Sequence, residues 1–127
     1  MQVQESRENY LEAILMLHRK QGYVRSVDVA NHLGFSRPSV SVAMSNLRKL
    51  GLVEMDAHGL LTLTEEGLRQ AEQVLERHML ITGWLTSLGV CEKTAAEDAC
   101  RIEHVLSQES FDCIRRHIEG ANRNAAE

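Results

Sequence analysis

Residues 5–20 place Tyr10, Ile14 and Leu17 on one stripe with Leu11 and Leu15 beside it, a spacing that predicts an amphipathic helix closed by Gly22. Ser26 to Leu33 repeats the pattern over a shorter run, with Ser26 as the expected N-cap and Val27, Val29, Ala30 and Leu33 as its apolar side. After Gly34 and Phe35 come Ser36-Arg37-Pro38-Ser39. A serine cap with proline in the first turn is a helix start signal, and the helix should run through Val40, Met44 and Leu47 to Leu50, where Gly51 stops it. A short helix, a glycine-bearing turn and a longer helix make a helix-turn-helix pattern. Two short alternating runs, Leu52–Met55 and Leu60–Leu63, then flank the polar turn Asp56-Ala57-His58-Gly59 and predict a β-hairpin, placed where a wing would be.

Helical periodicity returns at Thr64, the expected cap of a long helix reaching about Leu88. Leu68, Ala71, Leu75, His78, Ile81 or Thr82, and Leu85 lie along one side, and Gly89 ends it. A further helix is expected over about Thr94 to Leu106. Ser107 should cap a last one with Phe111, Ile114 and Ile118 inward, and the tail from Gly120 is expected to fray. The architecture predicted is mainly α: a winged helix-turn-helix over residues 1–64, then a helical domain over residues 65–127.

Composition adjusts this picture only slightly. Hydrophobic residues at 43% and charged ones at 25% describe a globular chain rather than a disordered one, and aromatics at 4% leave the core to aliphatic side chains. No charged-then-apolar leader opens the sequence, and the longest apolar stretch, Met79 to Cys91, is too short to span a bilayer, so a cytoplasmic protein without membrane contact is expected. Three cysteines, an odd number, make a disulfide framework a poor reading; Cys91 and Cys113 are expected in the core. The net charge of -4 is uneven. Residues 1–63 carry seven basic and six acidic side chains, and residues 64–127 carry seven and twelve. Phosphates respond to local basic groups, so the overall acidity weighs little against nucleic acid.

The DNA-contact candidates follow from the start of the second motif helix. Ser36, Arg37, Pro38, Ser39, Ser41 and Val42 stand on its first turns, where hydroxyls and backbone N–H groups can meet phosphates or base edges. Arg37 suits a guanine contact or a phosphate clamp, and Val42 a thymine methyl. Arg25 and Arg48 are phosphate candidates. His58 at the wing tip could enter the minor groove, though a plain turn residue is the better reading.

A second constellation lies in the rear half. Cys100, Glu103 and His104 stand at i, i+3 and i+4, which would put a thiolate, a carboxylate and an imidazole on one helical face able to hold a divalent transition ion. The same triplet is compatible with a buried cysteine, a surface glutamate and a hydrogen-bonded histidine. Asn9 and Glu12 share a face of the first helix, and His78 interrupts the inward side of the long one.

The order ENYLEAILML, FSRPSVSVAMSNLRKLGLV, LERHML and CRIEHVLS resembles the diphtheria-toxin-repressor family, including its manganese transport regulators, over about residues 5–119. The resemblance implies a winged helix followed by a helical dimerisation domain with metal between them. Carried over, Cys100, Glu103, His104 and Asn9 would form one site, and Glu12, His78 and a bridging Glu103 its neighbour. Asn9 departs from the Asp or Met usual there; Glu12 with His78 resembles the manganese branch and Cys100 the iron branch. Thr82 and Ala96 replace the Glu and His of the iron branch's ancillary site. A thiolate favours Fe²⁺ or later ions whereas oxygen donors suit Mn²⁺ or Fe²⁺, so the expected cofactor is Mn²⁺ or Fe²⁺.

The function expected is a metal-dependent repressor of metal-homeostasis genes, acting as a homodimer on double-stranded DNA at a palindromic operator. Ile81, Trp84, Leu85 and Leu88 fit either the dimer core or intramolecular packing. The alternative is a winged-helix regulator that senses an oxidant or small molecule through Cys100 or Cys113. No enzyme is expected, since the sequence has no nucleophile elbow, phosphate loop or H-E-x-x-H.

Overall fold

The computed structural model describes residues 3–126, with side chains described over 5–121. In chain order the elements are α1 (Val3–Gln21), α2 (Ser26–Leu33), α3 (Arg37–Lys49), β1 (Val53–Met55), β2 (Leu61–Leu63), α4 (Glu65–Ser87), α5 (Glu92–Ile102) and α6 (Gln108–Ala126). They form two compact units, one ending at Val74 and the other beginning at Leu75, so the division falls inside α4.

In the first unit α1 buries Tyr10, Leu11, Ile14, Leu15 and Leu17, the stripe its periodicity predicts. The start of α2 differs from expectation. Arg25 occupies the N-cap and donates its N–H to Asp28 Oδ2 at 2.9 Å, leaving Ser26 as the first helical residue. Arg25 O accepts from the Asp28 and Val29 N–H groups while the Asp28 carboxylate satisfies the Arg25 N–H, so the helix starts one residue earlier than a Ser26 cap would allow. Gly34, at φ +71°, donates to Ala30 O and turns the chain towards α3. Ser36 caps α3 as expected, its Oγ accepting from the Ser39 N–H at 3.3 Å. Val40, Met44 and Leu47 are buried with Val29 and Ala30 of α2 in this unit's core.

The predicted hairpin is antiparallel, with Val53 opposite Leu63 and Met55 opposite Leu61. Val53 and Leu61 are buried, while Glu54 and Thr62 point to solvent, the alternation of a sheet wet on one face. Asp56 Oδ1 accepts from the N–H groups of both His58 (2.8 Å) and Leu60 (2.9 Å), which closes the turn. Val24 O accepts from Leu61 N–H at 2.7 Å, so the segment before α2 borders the hairpin.

Thr64 joins wing to helix. Its N–H donates to Leu52 O, its hydroxyl donates to Gly51 O at 2.7 Å, and its Oγ1 accepts from Gly67 N–H at 3.1 Å. Gly67 is required there: a Cβ on it would lie 1.9 Å from Leu52 O.

The second unit has its own core of Ile81, Ala99 and Phe111, packed with Leu80, Leu85, Ile102 and Leu106. Ile81 and Leu85 therefore pack within the chain, whereas Leu88 is 65% exposed. α5 begins earlier than expected, with Cys91 at its N-cap, and ends at Ile102 rather than Leu106 because the chain must turn into the Ser107 cap of α6. The tail expected to fray continues as helix to Ala126; its alanines are good helix formers, which a reading of it as small and polar overlooks. Cys91 and Cys113 are exposed, not core residues: one sits at a helix start, the other on the side of α6 away from Phe111. Among the described residues no helix is long and apolar enough to cross a membrane.

Gly67→Ala should destabilise the protein by about 1–3 kcal/mol in urea unfolding, the usual cost of forcing extra volume against immovable atoms, here a backbone carbonyl. Asp56 is held below its ordinary pKa of 3.8, chiefly by the Leu60 N–H. Its stabilising effect is thus present above the unfolded value and lost as pH falls through the depressed folded value. Unfolding curves should show Asp56→Ala less stable than wild type at pH 6, with the gap closing in strong acid.

Candidate functional site

α3 divides cleanly into two sides. Val40, Met44 and Leu47 face the core, whereas Arg37, Pro38, Ser39, Ser41, Val42 and Arg48 are all exposed. The Ser36 hydroxyl is engaged in the cap, also donating to Ser39 Oγ at 2.8 Å, so Ser39 keeps a proton to donate outward from the helix start. Val42 is 62% exposed, an apolar side chain in solvent amid polar neighbours. Arg25 is exposed with its guanidinium 5.9 Å from the Tyr23 ring centroid, beside the first turn of α2. This unit thus presents a helix N-terminus flanked by arginines and short hydroxyls, a surface suited to phosphate and base edges.

In the second unit the centre of interest is Glu103. It is the C-cap of α5 and the one charged residue fully buried among the described residues, with its side chain 0% exposed. His78 Nδ1, from α4, lies 3.0 Å from its Oε2. His104 Nε2 lies 3.3 Å from Oε1, though without hydrogen-bond geometry, and the His104 side chain is itself 1% exposed. Cys100, in the last turn of α5, completes the group: its Sγ, a Glu103 oxygen and a His104 nitrogen all lie within 4.8 Å of one another. Bonds of 2.0–2.3 Å to one ion bridge donors about 4–4.6 Å apart or less, so a small inward adjustment brings the three to one metal.

The chemistry of this donor set fits a divalent transition ion. A carboxylate removed from water costs several kcal/mol unless charge is returned to it. Oε1 is buried without a hydrogen bond, and thiolate, carboxylate and imidazole supply sulfur, oxygen and nitrogen together. The helical face inferred from spacing is not quite what forms. Cys100 is helical, but Glu103 and His104 lie in the turn after α5, and it is this turn that carries them towards Cys100 and His78.

Asn9 and Glu12 stand half-buried on α1 in the first unit. One residue escaped the sequence reading. Arg77, next to His78, donates from Nη1 to the carbonyls of Glu103 (3.0 Å) and Leu106 (3.1 Å) and from Nη2 to Gln108 Oε1 (2.8 Å). The only trace of it in the sequence is a basic residue beside a histidine that interrupts an inward face.

Comparison with known proteins places both halves. Residues 2–59 match the model of the iron dependent repressor N-terminal DNA binding domain, and residues 64–125 that of the iron dependent repressor metal binding and dimerisation domain. The transcriptional regulator MntR of Escherichia coli O6:H1 is 38% identical over 108 residues, covering 85% of this chain and 70% of that protein. An HTH-type transcriptional regulator of Methanocaldococcus jannaschii is 33% identical over 117 residues, 91% of this chain and 94% of that one. Among solved structures, a manganese-dependent transcriptional repressor in complex with manganese superposes with a TM-score of 0.80 at 27% identity, and the IdeR of T. acidophilum with 0.76 at 26%. They cover 89% and 88% of this chain, which spans only about half of theirs, 52% and 53%. The chain belongs to the iron-dependent repressor family, the diphtheria-toxin-repressor family that its motifs resemble.

Proposed function

We propose that this chain is a metal-dependent transcriptional repressor that binds Mn²⁺ or Fe²⁺ and controls metal-homeostasis genes, acting in the cytoplasm as a homodimer on a palindromic DNA operator. The observation that carries this reading is the buried Glu103 carboxylate, set against His78 and His104 with Cys100 at hand. It is supported by family membership over both halves and by a solved structural relative named as a manganese-dependent transcriptional repressor.

In this reading residues 1–64 read DNA, and residues 65–127 hold the metal and dimerise. Cys100, Glu103 and His104 hold one ion together with the Asn9 carbonyl oxygen; Glu12, His78 and a shared Glu103 hold a neighbouring one. A bound ion would return positive charge to the buried carboxylate. Glu12 and Asn9 are the donors by which the DNA-binding half takes part, so occupancy of the site and the placing of α3 are linked. In a dimer the two α3 helices must meet successive major grooves, roughly 34–36 Å apart. Metal and operator then favour one conformation, and each tightens the other by the same factor, typically about 1–3 kcal/mol or 5- to 150-fold. Arg37, Ser39, Ser41 and Val42 meet the bases or their flanking phosphates; Arg25 and Arg48 hold the backbone.

A second reading has one observation in its favour. Cys113 is exposed, and Arg116 Nη2 donates to its sulfur at 3.2 Å. A metal-independent regulator working through this thiol would bind its operator undiminished in EDTA and release it on peroxide treatment.

Operator-fragment binding, measured with Mn²⁺, Fe²⁺, Co²⁺ and Zn²⁺ and in EDTA, should rise about 5- to 150-fold with the active ion. Glu103→Ala should abolish that rise, and full operator affinity in EDTA would sink the metal reading. Arg37→Ala should weaken operator binding by about 1–3 kcal/mol at constant salt; unchanged affinity removes Arg37 from the reading face.

A further inference from the structure

We infer that Arg77 is a positioning residue for the metal centre, gripping the main chain of the ligand turn while its neighbour His78 faces the same glutamate's side chain. The inference rests on the metal reading of Cys100, Glu103 and His104 above.

The turn after α5 has a structural problem. Its carbonyls, including those of Glu103 and Leu106, lie at a helix end where no further turn supplies N–H partners. Arg77 supplies them from across the unit. Nη1 reaches Glu103 O at 3.0 Å and Leu106 O at 3.1 Å, and Nη2 reaches Gln108 Oε1 at 2.8 Å. One planar guanidinium therefore ties both ends of the 103–106 turn, and the first residue of α6, to α4. A lysine ammonium, a point donor, has no such fork.

Arg77 is itself fixed. Its guanidinium carbon lies 5.0 Å from the centroid of the Phe111 ring, which is 1% exposed. Arg115 lies over the same ring at 4.8 Å and pairs with Glu76 at 2.7 Å. The cationic head thus rests on an immobile aromatic surface in the unit's core.

The consequence for Glu103 is direct. Its carbonyl is held by Arg77 while its carboxylate lies 3.0 Å from His78 Nδ1, so two successive residues of α4 address the two ends of one ligand residue. With the main chain at 103 tied, the Glu103 carboxylate and the His104 imidazole that follows it start from one fixed backbone position. Without that tie the turn can relax, and the ligands must be ordered again each time metal binds.

The test uses Co²⁺, whose visible absorption reports both affinity and ligand geometry, on the full chain, together with the melting temperature of the metal-free protein. Arg77→Met should lower Co²⁺ affinity by about 10- to 100-fold and alter the absorption bands, the usual scale for loss of a group that orients a ligand, and Arg77→Lys should recover part of the loss. Affinity within about twofold of wild type in folded Arg77→Met, or a loss that Arg77→Lys does not reduce, overturns the inference. If Arg77→Met does not fold, Gln108→Ala carries the test: reduced Co²⁺ affinity supports the grip and unchanged affinity overturns it. Glu103→Ala separates the two levels. If it retains wild-type affinity the metal reading itself fails and takes this inference with it; if it loses affinity while Arg77→Met does not, only the role of Arg77 fails.

Discussion

A carboxylate sealed away from water dominates the rear half of this protein. Glu103 is fully buried, with one oxygen lacking a hydrogen bond and an imidazole on each side. Left alone, such a group is costly to keep folded. Several features of the second unit make sense as ways of living with it. α5 stops one residue before it, which frees the turn to bring His104 to the same place as Cys100. α4 sets His78 against its carboxylate and Arg77 against its carbonyl. Phe111 is packed into the core where it supports the guanidinium that holds the turn.

The front half answers a different demand, which is to hold a polar helix face in water while its back is buried. Ser36 and Pro38 start α3 at a defined residue, and Val40, Met44 and Leu47 anchor it, so the exposed arginine, serines and valine are presented at fixed angles. The wing is closed by Asp56 and tied back through Thr64, whose side chain takes part in the first turn of α4. The close approach of Gly67 to Leu52 O leaves no room for a side chain at that junction. α4 accordingly takes part in both units: its start is built against the wing, and its middle supplies Arg77 and His78 to the rear core.

What this chain's sequence determined alone is the number, type and order of its elements, because those depend on local chemistry: the period of apolar residues, caps at Ser36, Thr64 and Ser107, and glycines at helix ends. The exposed face of α3 was legible for the same reason, since a helix with one buried side exposes the other. Boundaries set by competition were less so, as when Asp28 rather than Ser26 governs the start of α2. Only the tertiary structure decided that Ile81 and Leu85 face inward to Phe111, that Cys91 and Cys113 face outward, and that Glu103 is dry. It alone revealed Arg77, because a side chain bonding to carbonyls 26 and 29 residues away leaves no periodic mark in the chain. Spacing tells which residues share a helix face, but burial and long-range polar contacts arise only when separate segments exclude water between them.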